Sequence, residues 1–302
     1  GWWNGVYLAD YTGHEFHHTI IEHGGGEQLD NTGAAANLML ANLDSAPAAT
    51  IQNTTLRKSA GFGLALSPRG GELSNFSNNT ITQNDLGAVR LGFNQAADLD
   101  AQSTYSGNAV DEIHVRPQGP ISFGHIWSNL DAPYVIVTPG SGEHATVEGD
   151  SAVLTIEPGT TVYFQPGTDL IAHNGGMISI VGESSNKITL AGHEGGNWRG
   201  LKADDGSFVL GNVVIDGAGA SPHPVDGSDT EAVIAVDKFV DDSDPKAIVT
   251  FQGGTEITNS ATTCDIYFTS GELAYQYAEG PACTWMSDCY DSNTDPDKCL
   301  TN

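Results

Sequence analysis

The residues of this chain best suited to chemistry are oxygen ligands near its C-terminal end. Asp291, Asn293, Asp295 and Asp297 alternate with other residues, a spacing that lets a short loop wrap a hard cation such as Ca²⁺. They are the candidate metal ligands, and Ca²⁺ is the one cofactor they suggest. The match to an EF-hand loop is partial, because Pro296 replaces its glycine and Asn302 its closing glutamate. A merely solvated acidic turn is the competing reading. Asp241, Asp242 and Asp244 make a second, weaker acidic corner.

His14, Glu15, His17, His18 and His23, with Glu22, form the densest histidine cluster. On one strand, His14 and His18 would share a face and two imidazoles could hold a transition metal. The corresponding stretch of the second repeat copy, Val209 to Gly217, has no histidine, which favours surface decoration. The acids available for catalysis are Asp204 with Asp205, Asp98 with Asp100, and Asp111 with Glu112 near Arg116. Neighbours on a strand face opposite ways, so Asp204 and Asp205 are no ready-made pair. No catalytic residue is assigned, and nucleophile-elbow, Walker and dinucleotide motifs are absent from the sequence.

All four cysteines, Cys264, Cys283, Cys289 and Cys299, lie in the last 39 residues. An even number in a Gly/Asp/Ser-rich terminus predicts two disulfides and an oxidising compartment. Three pairings are open; Cys264 with Cys283 and Cys289 with Cys299 is the expected one. Zinc is disfavoured because no CxxC knuckle or flanking histidine accompanies them.

With 11 Lys+Arg against 38 Asp+Glu, the formal charge is −27. Such a surface repels nucleic-acid backbones and anionic membranes. No apolar run approaches the roughly 20 residues of a membrane helix, so neither nucleic acid nor membrane insertion is expected. The 37 glycines in 302 residues predict frequent tight corners between short strands and little helix.

Two repeats describe the elements that carry these residues. Gly1-Trp2-Trp3-Asn4-Gly5-Val6 is echoed by Gly196-Asn197-Trp198-Arg199-Gly200-Leu201, and Thr19 to Gly25 by Val213 to Gly219. Trp3 and Trp198 thus occupy one repeat position and are expected to be structural posts rather than sugar platforms. Within the first half, Leu56, Leu64 and Leu66 map onto Ile81, Val89 and Leu91 at one offset of 25. Side chains one coil apart stack about 4.8 Å above one another into an interior column. The middle residues of the triplets, Ala65 and Arg90, should face solvent. Asn53, Asn78, Asn79 and Asn84 should supply left-handed corners or side-chain ladders. The fold class is therefore all-β, a parallel β-helix of roughly 20–25 residues per coil. It is expected over 1–280 in two unequal copies, 1–137 and 138–280, followed by a Cys/Asp-rich tail at 281–302.

Leu154 to Phe164 (LTIEPGTTVYF), Gly176 to Gly182, Ile188 to Gly192, Trp198-Arg199-Gly200 and Val213 to Gly219 resemble a module of large secreted and surface-attached bacterial right-handed parallel β-helix proteins. Trp127 to Val135 is similar to another passage of that unit. The resemblance implies an extracellular or cell-surface structural and adhesive protein, its partners being further copies of itself or a cell-surface polysaccharide. It transfers no catalytic residue. The chain starts at a Trp-Gly coil, without the LTIEPGTT coil that precedes the second copy, so either upstream sequence is missing or the first coil is an open edge that invites end-to-end, filament-like stacking. The alternative is a polysaccharide-active lyase or glycosidase using a groove beside the coils.

Overall fold

Short runs of β-branched residues and leucine, punctuated by Gly and Asn corners, fold as an all-β parallel β-solenoid of about eight turns, about 28 residues per turn. The structure is a computed structural model that describes residues 3–9, 11–28, 34–41, 46–67, 70–138, 142–225, 228–237, 247–262, 265–268 and 299–300. Helix among them is limited to short 3₁₀ turns, Phe93–Asp98 and His193–Gly195, and none is long and apolar enough to cross a membrane. The chain divides into two compact units, residues 1–119 with 128–135, and residues 120–127 with 136–302.

In the first unit each coil contributes to three parallel sheets. Val6–Ala9, Ala36–Ala41, Phe62–Leu66, Gly87–Gly92 and Ile113–Arg116 form one. His14–His17, Ala48–Gln52 and Glu72–Ser77 form the second, and Ile20–Glu22, Thr55–Arg57 and Thr80–Thr82 the third. The 25-residue ladder holds in register: Leu56 stands opposite Ile81 and Leu64 opposite Val89. Leu38, Leu64, Val89 and Ile113 continue one column, each fully buried. Each such side chain contributes roughly 1.5–3 kcal/mol of apolar burial.

The asparagines divide their work. Asn53 and Asn78 take left-handed backbone at φ 50° and 54°. Asn79 and Asn84 are buried rungs: Asn79 accepts from the Thr54 amide and donates to the Ile51 carbonyl, and Asn84 does the same for Ser59 and Leu56. Asn37 and Asn108 extend the ladder through side-chain bonds to Asn84. A buried amide satisfied this way avoids the 1–3 kcal/mol, roughly, of an orphaned polar group.

The expectation of a polar outer face fails at Ala65. It does alternate away from the interior column, yet it is fully buried beside Ala34, Ala36, Met39, Ala41 and Phe62, with Tyr7 packed against them. Small and apolar residues on both faces let this sheet be covered twice.

The second unit repeats the three-sheet coil. Gly124–Trp127, Val153–Ile156, Met177–Val181, Ser207–Gly211 and Ile248–Phe251 form one sheet. Thr161–Phe164, Ile188–Gly192, Val213–Asp216 and Glu256–Thr258 form another. Ala145–Glu148, Asp169–His173, Gly200–Asp204, Ile234–Asp237 and Ile266–Phe268 form the third, closed by an antiparallel Cys299–Leu300. Burial alternates strictly along Val153–Ile156 and Thr161–Phe164, the period-2 signature of one wet face. Coils here are longer than the 20–25 residues expected. Ser207 pairs with Ile248, 41 residues on, because an antiparallel hairpin, His223–Val225 with Ser228–Thr230, is inserted between them.

Candidate functional site

The two tryptophan corners are built alike. Trp3 Nε1 donates to the Glu22 carbonyl and Trp198 Nε1 to the Asp216 carbonyl, both at 2.9 Å. The amide of Gly25 bonds to Asn4 and that of Gly26 to Trp3; Gly219 bonds to Arg199 and Ala220 to Trp198 in the same way. Gly5 and Gly200 adopt φ 112° and 121°, and a Cβ there would sit 2.2 Å from the Ala36 oxygen or 2.3 Å from the Val233 oxygen. Only glycine fits this close approach. Trp198 is fully buried and stacks on Phe164 at 3.9 Å.

The predicted chemistry at the histidine cluster does not assemble. His14–His17 is a strand, but His18 turns away at φ 50°, so it cannot share the face of His14. His17 pairs weakly with Glu15 at 3.6 Å, and Glu22 is engaged by Arg57 Nε at 2.6 Å. Among the described residues no group of three or more His, Cys, Asp or Glu is placed to hold a metal ion. Asp291, Asn293, Asp295 and Asp297, the acidic corner at 241–244, and Cys264, Cys283 and Cys289 lie outside the described residues. Of Cys299 the backbone strand is described.

Most of the predicted acids hold the fold together. Asp100 accepts from the Ser103 hydroxyl and from the amides of Gln102 and Asn78. Asp111 caps the Asn108 amide at 2.6 Å, and Glu112 holds His114 at 3.1 Å. Asp98 is half-buried; burial pushes its carboxyl up to about 6, against a Leu73 backbone bond and helped by the Glu72 charge. Asp205 is buried in left-handed backbone at φ 54°, so it is spent on a corner beside Asp204.

Asp204 belongs to a group of charges on the outward face of the sheet running through Ala145–Glu148, Asp169–His173 and Gly200–Asp204. Leu170 and Leu201 pair and point inward, so the alternate residues Ile171, Lys202, His173 and Asp204 point outward. Asp204 binds His173 Nδ1 at 3.1 Å and Lys202 Nζ at 3.3 Å. Asp169, only 2% exposed, has both oxygens against His144 Nδ1, at 2.8 and 2.9 Å, and takes Arg199 Nη1 at 2.8 Å. Two carboxylates thus each clamp one imidazole and one permanent cation. Burial works to raise the Asp169 carboxyl, but the His144 bond and charge, then Arg199, hold it below its ordinary value.

His223, on the inserted hairpin, lies within the field of this group. Burial pushes its imidazole down to about 4; the Asp169 charge opposes this and the Arg199 and Lys202 charges add to it. The Arg199 backbone is within hydrogen-bonding reach of the ring, which otherwise lacks polar partners, and Arg199 Nε, also buried, has none. An imidazole with its Nδ1–H held by a carboxylate keeps Nε2 as an acceptor. The face can therefore offer hydrogen-bond acceptors at His144 and His173.

Sequence reasoning singled out Asp204 and passed over His144, Asp169, Arg199, Lys202, His173 and His223. A signal existed for part of the set. His144 precedes Ala145 as Asp169 precedes Leu170, and these two strands are in register, so His144 and Asp169 fall in one outward column. His223 gave no such signal, since the hairpin insertion breaks the period. His125, the other buried histidine without hydrogen-bond partners, occupies the interior column with Leu154 and Ile178, its ring against Phe123, and is part of the core. Comparison with protein-family models, with curated proteins and with solved structures finds no match to this chain.

Proposed function

We propose that the protein is an extracellular structural and adhesive solenoid module of the bacterial surface type, which pairs with a second copy through the coil that carries Trp3, Tyr11 and Ile20. One observation carries this reading. Val6–Ala9, His14–His17 and Ile20–Glu22 are the outermost strands of their three sheets among the described residues, and the same coil exposes Trp3 at 44%, Tyr11 at 79% and Ile20 at 60%. Apolar side chains exposed along the outermost described strands of three sheets favour pairing with a further coil. Light scattering across a hundredfold concentration range tests it: mass should grow with concentration in the native chain and stay monomeric in Tyr11→Lys/Ile20→Lys. A native chain that is monodisperse and monomeric throughout would overturn it.

Two disulfides among Cys264, Cys283, Cys289 and Cys299, and Ca²⁺ at Asp291, Asn293, Asp295 and Asp297, complete the proposal. Thiol counting before and after reduction should read zero and four. Calorimetric titration with Ca²⁺ should show one site, lost in Asp295→Asn/Asp297→Asn. A second reading, a polysaccharide-active enzyme, is favoured by the Asp169–His144 pair, which has the geometry of an oriented base. New reducing ends or unsaturated products released from polysaccharides, and absent with His144→Gln, would carry it.

A further inference from the structure

We propose that Asn53, Asn75 and Asn78 are acceptors for N-linked sugar, which gives the first unit a glycan-bearing face. An asparagine followed by any residue but proline and then by Ser or Thr is the acceptor pattern for this modification, which belongs to exported chains; the proposal therefore rests on the extracellular reading. The chain has three such patterns, Asn53-Thr54-Thr55, Asn75-Phe76-Ser77 and Asn78-Asn79-Thr80, all within 53–80. The fold leaves all three asparagines exposed. Asn53 and Asn78 hold left-handed corners one coil apart, and Thr55 and Thr80, the hydroxyl residues of their patterns, stand in register on the outward side of the next strands. Asn75 projects from Glu72–Ser77 between the buried Leu73 and Phe76.

The asparagines of this unit fall into two sets. The ladder amides Asn37, Asn79, Asn84 and Asn108 are all hydrogen-bonded, and a sugar on any of them would break a rung. Two positions after them come Met39, Ile81, Leu86 and Val110, so none of the four is an acceptor. The side chains of Asn53, Asn75 and Asn78 make no hydrogen bond among the described residues. Asn53 and Asn78 are held by their backbone amides instead, to the Ser77 carbonyl and to the Asp100 carboxylate. A glycosyl bond at their Nδ2 thus costs the fold no contact. The corner geometry separates the sets: at each corner one side chain points out, Asn53 or Asn78, and the next is buried, Thr54 or Asn79.

The co-reactant is an activated glycosyl donor, a sugar joined through its anomeric carbon to a lipid diphosphate or a nucleotide. Asn Nδ2 bonds to that carbon, the carbon–oxygen bond to phosphate breaks with its electron pair leaving on the phosphate, and Nδ2 gives up one proton. Neighbouring coils are about 4.8 Å apart, so a sugar on Asn53 crowds Asn78 and one of the pair suffices. A bulky hydrated group here makes the face more soluble. It also stands on Glu72–Ser77, an outermost strand of its sheet among the described residues, where it hinders the addition of further strands.

Mass spectrometry of the full chain isolated from the cells that make it, with fragmentation that leaves sugars on their residues, tests the proposal. A hexose or N-acetylhexosamine should be found on at least one of Asn53, Asn75 and Asn78, and on none of the ladder asparagines. Thr55→Val/Ser77→Ala/Thr80→Val, made in the same cells, keeps every asparagine but removes each acceptor pattern, and should lose all of that sugar mass. If this variant does not accumulate, the three single variants decide, each losing the sugar of its own pattern. A native chain unmodified at all three asparagines, sugar confined to Ser or Thr hydroxyls, or sugar retained in the triple variant would overturn the proposal. Protease shaving of intact cells separates it from the reading beneath it. A surface-exposed chain without sugar sinks the acceptors alone, whereas an unmodified chain protected inside the cell sinks both.

Discussion

The Trp3 corner and the Trp198 corner make the same hydrogen bonds but differ in what covers the ring. Trp3 is 44% exposed, whereas Trp198 is fully buried on Phe164. The polar bonds define the corner, since they recur where packing differs. Among the described residues a ring stack is found at the Trp198 corner, where it adds to the energy. Sharing a repeat position therefore conserves geometry without conserving stability.

The largest effect should separate these two terms. Trp198→Ala removes a buried stacked ring and should cost about 3–5 kcal/mol, read by denaturant unfolding. Trp3→Ala should cost about 1 kcal/mol, the net value of its hydrogen bond plus partial burial. Equal losses would break the comparison. Next come the glycines, where the corners are alike and the effects should match: Gly200→Ala and Gly5→Ala should each cost about 1–3 kcal/mol from left-handed strain, with more from the clash. A loss at one corner only would show that the shared geometry is not shared strain.

Smaller in the native chain, and opposite in sign between units, is the pH response. His223 in the second unit has its folded pKa lowered from 6.5 to about 4. The unfolded chain then binds the extra proton in that window, so this contribution, about 3 kcal/mol at most, is lost as pH falls through it. Asp98 in the first unit has its folded pKa raised from 3.8 to about 6. Its folded form binds the extra proton, so its contribution grows as pH falls from about 6 toward 4. The native stability profile should therefore be shallow there. His223→Gln should make it rise toward acid and Asp98→Asn should make it fall. Parallel slopes in the two variants would show that the assignments are wrong.

The interior was legible in the sequence because it obeys one period. Leu56, Leu64 and their partners one coil on are all that stacking requires, and stacking is local and repetitive. Ala65 misled because alternation predicts direction, whereas burial depends on what lies outside the sheet. The coil length came out short because hairpins can be inserted at corners without disturbing the column. The charged face was hidden for a related reason: His144, Asp169, Arg199 and His223 meet only after four separate segments are brought into place, and each reads as an ordinary surface residue until then.

The row formed by Asn37, Asn84 and Asn108 has a further consequence. A stack of similar coils is in danger of closing one residue out of step, since leucine, isoleucine and valine tolerate each other. The amide rungs do not tolerate it, because a slipped coil would bury an amide against hydrocarbon. The row therefore works as an error check on assembly, rejecting misaligned coils that the hydrophobic column alone would accept.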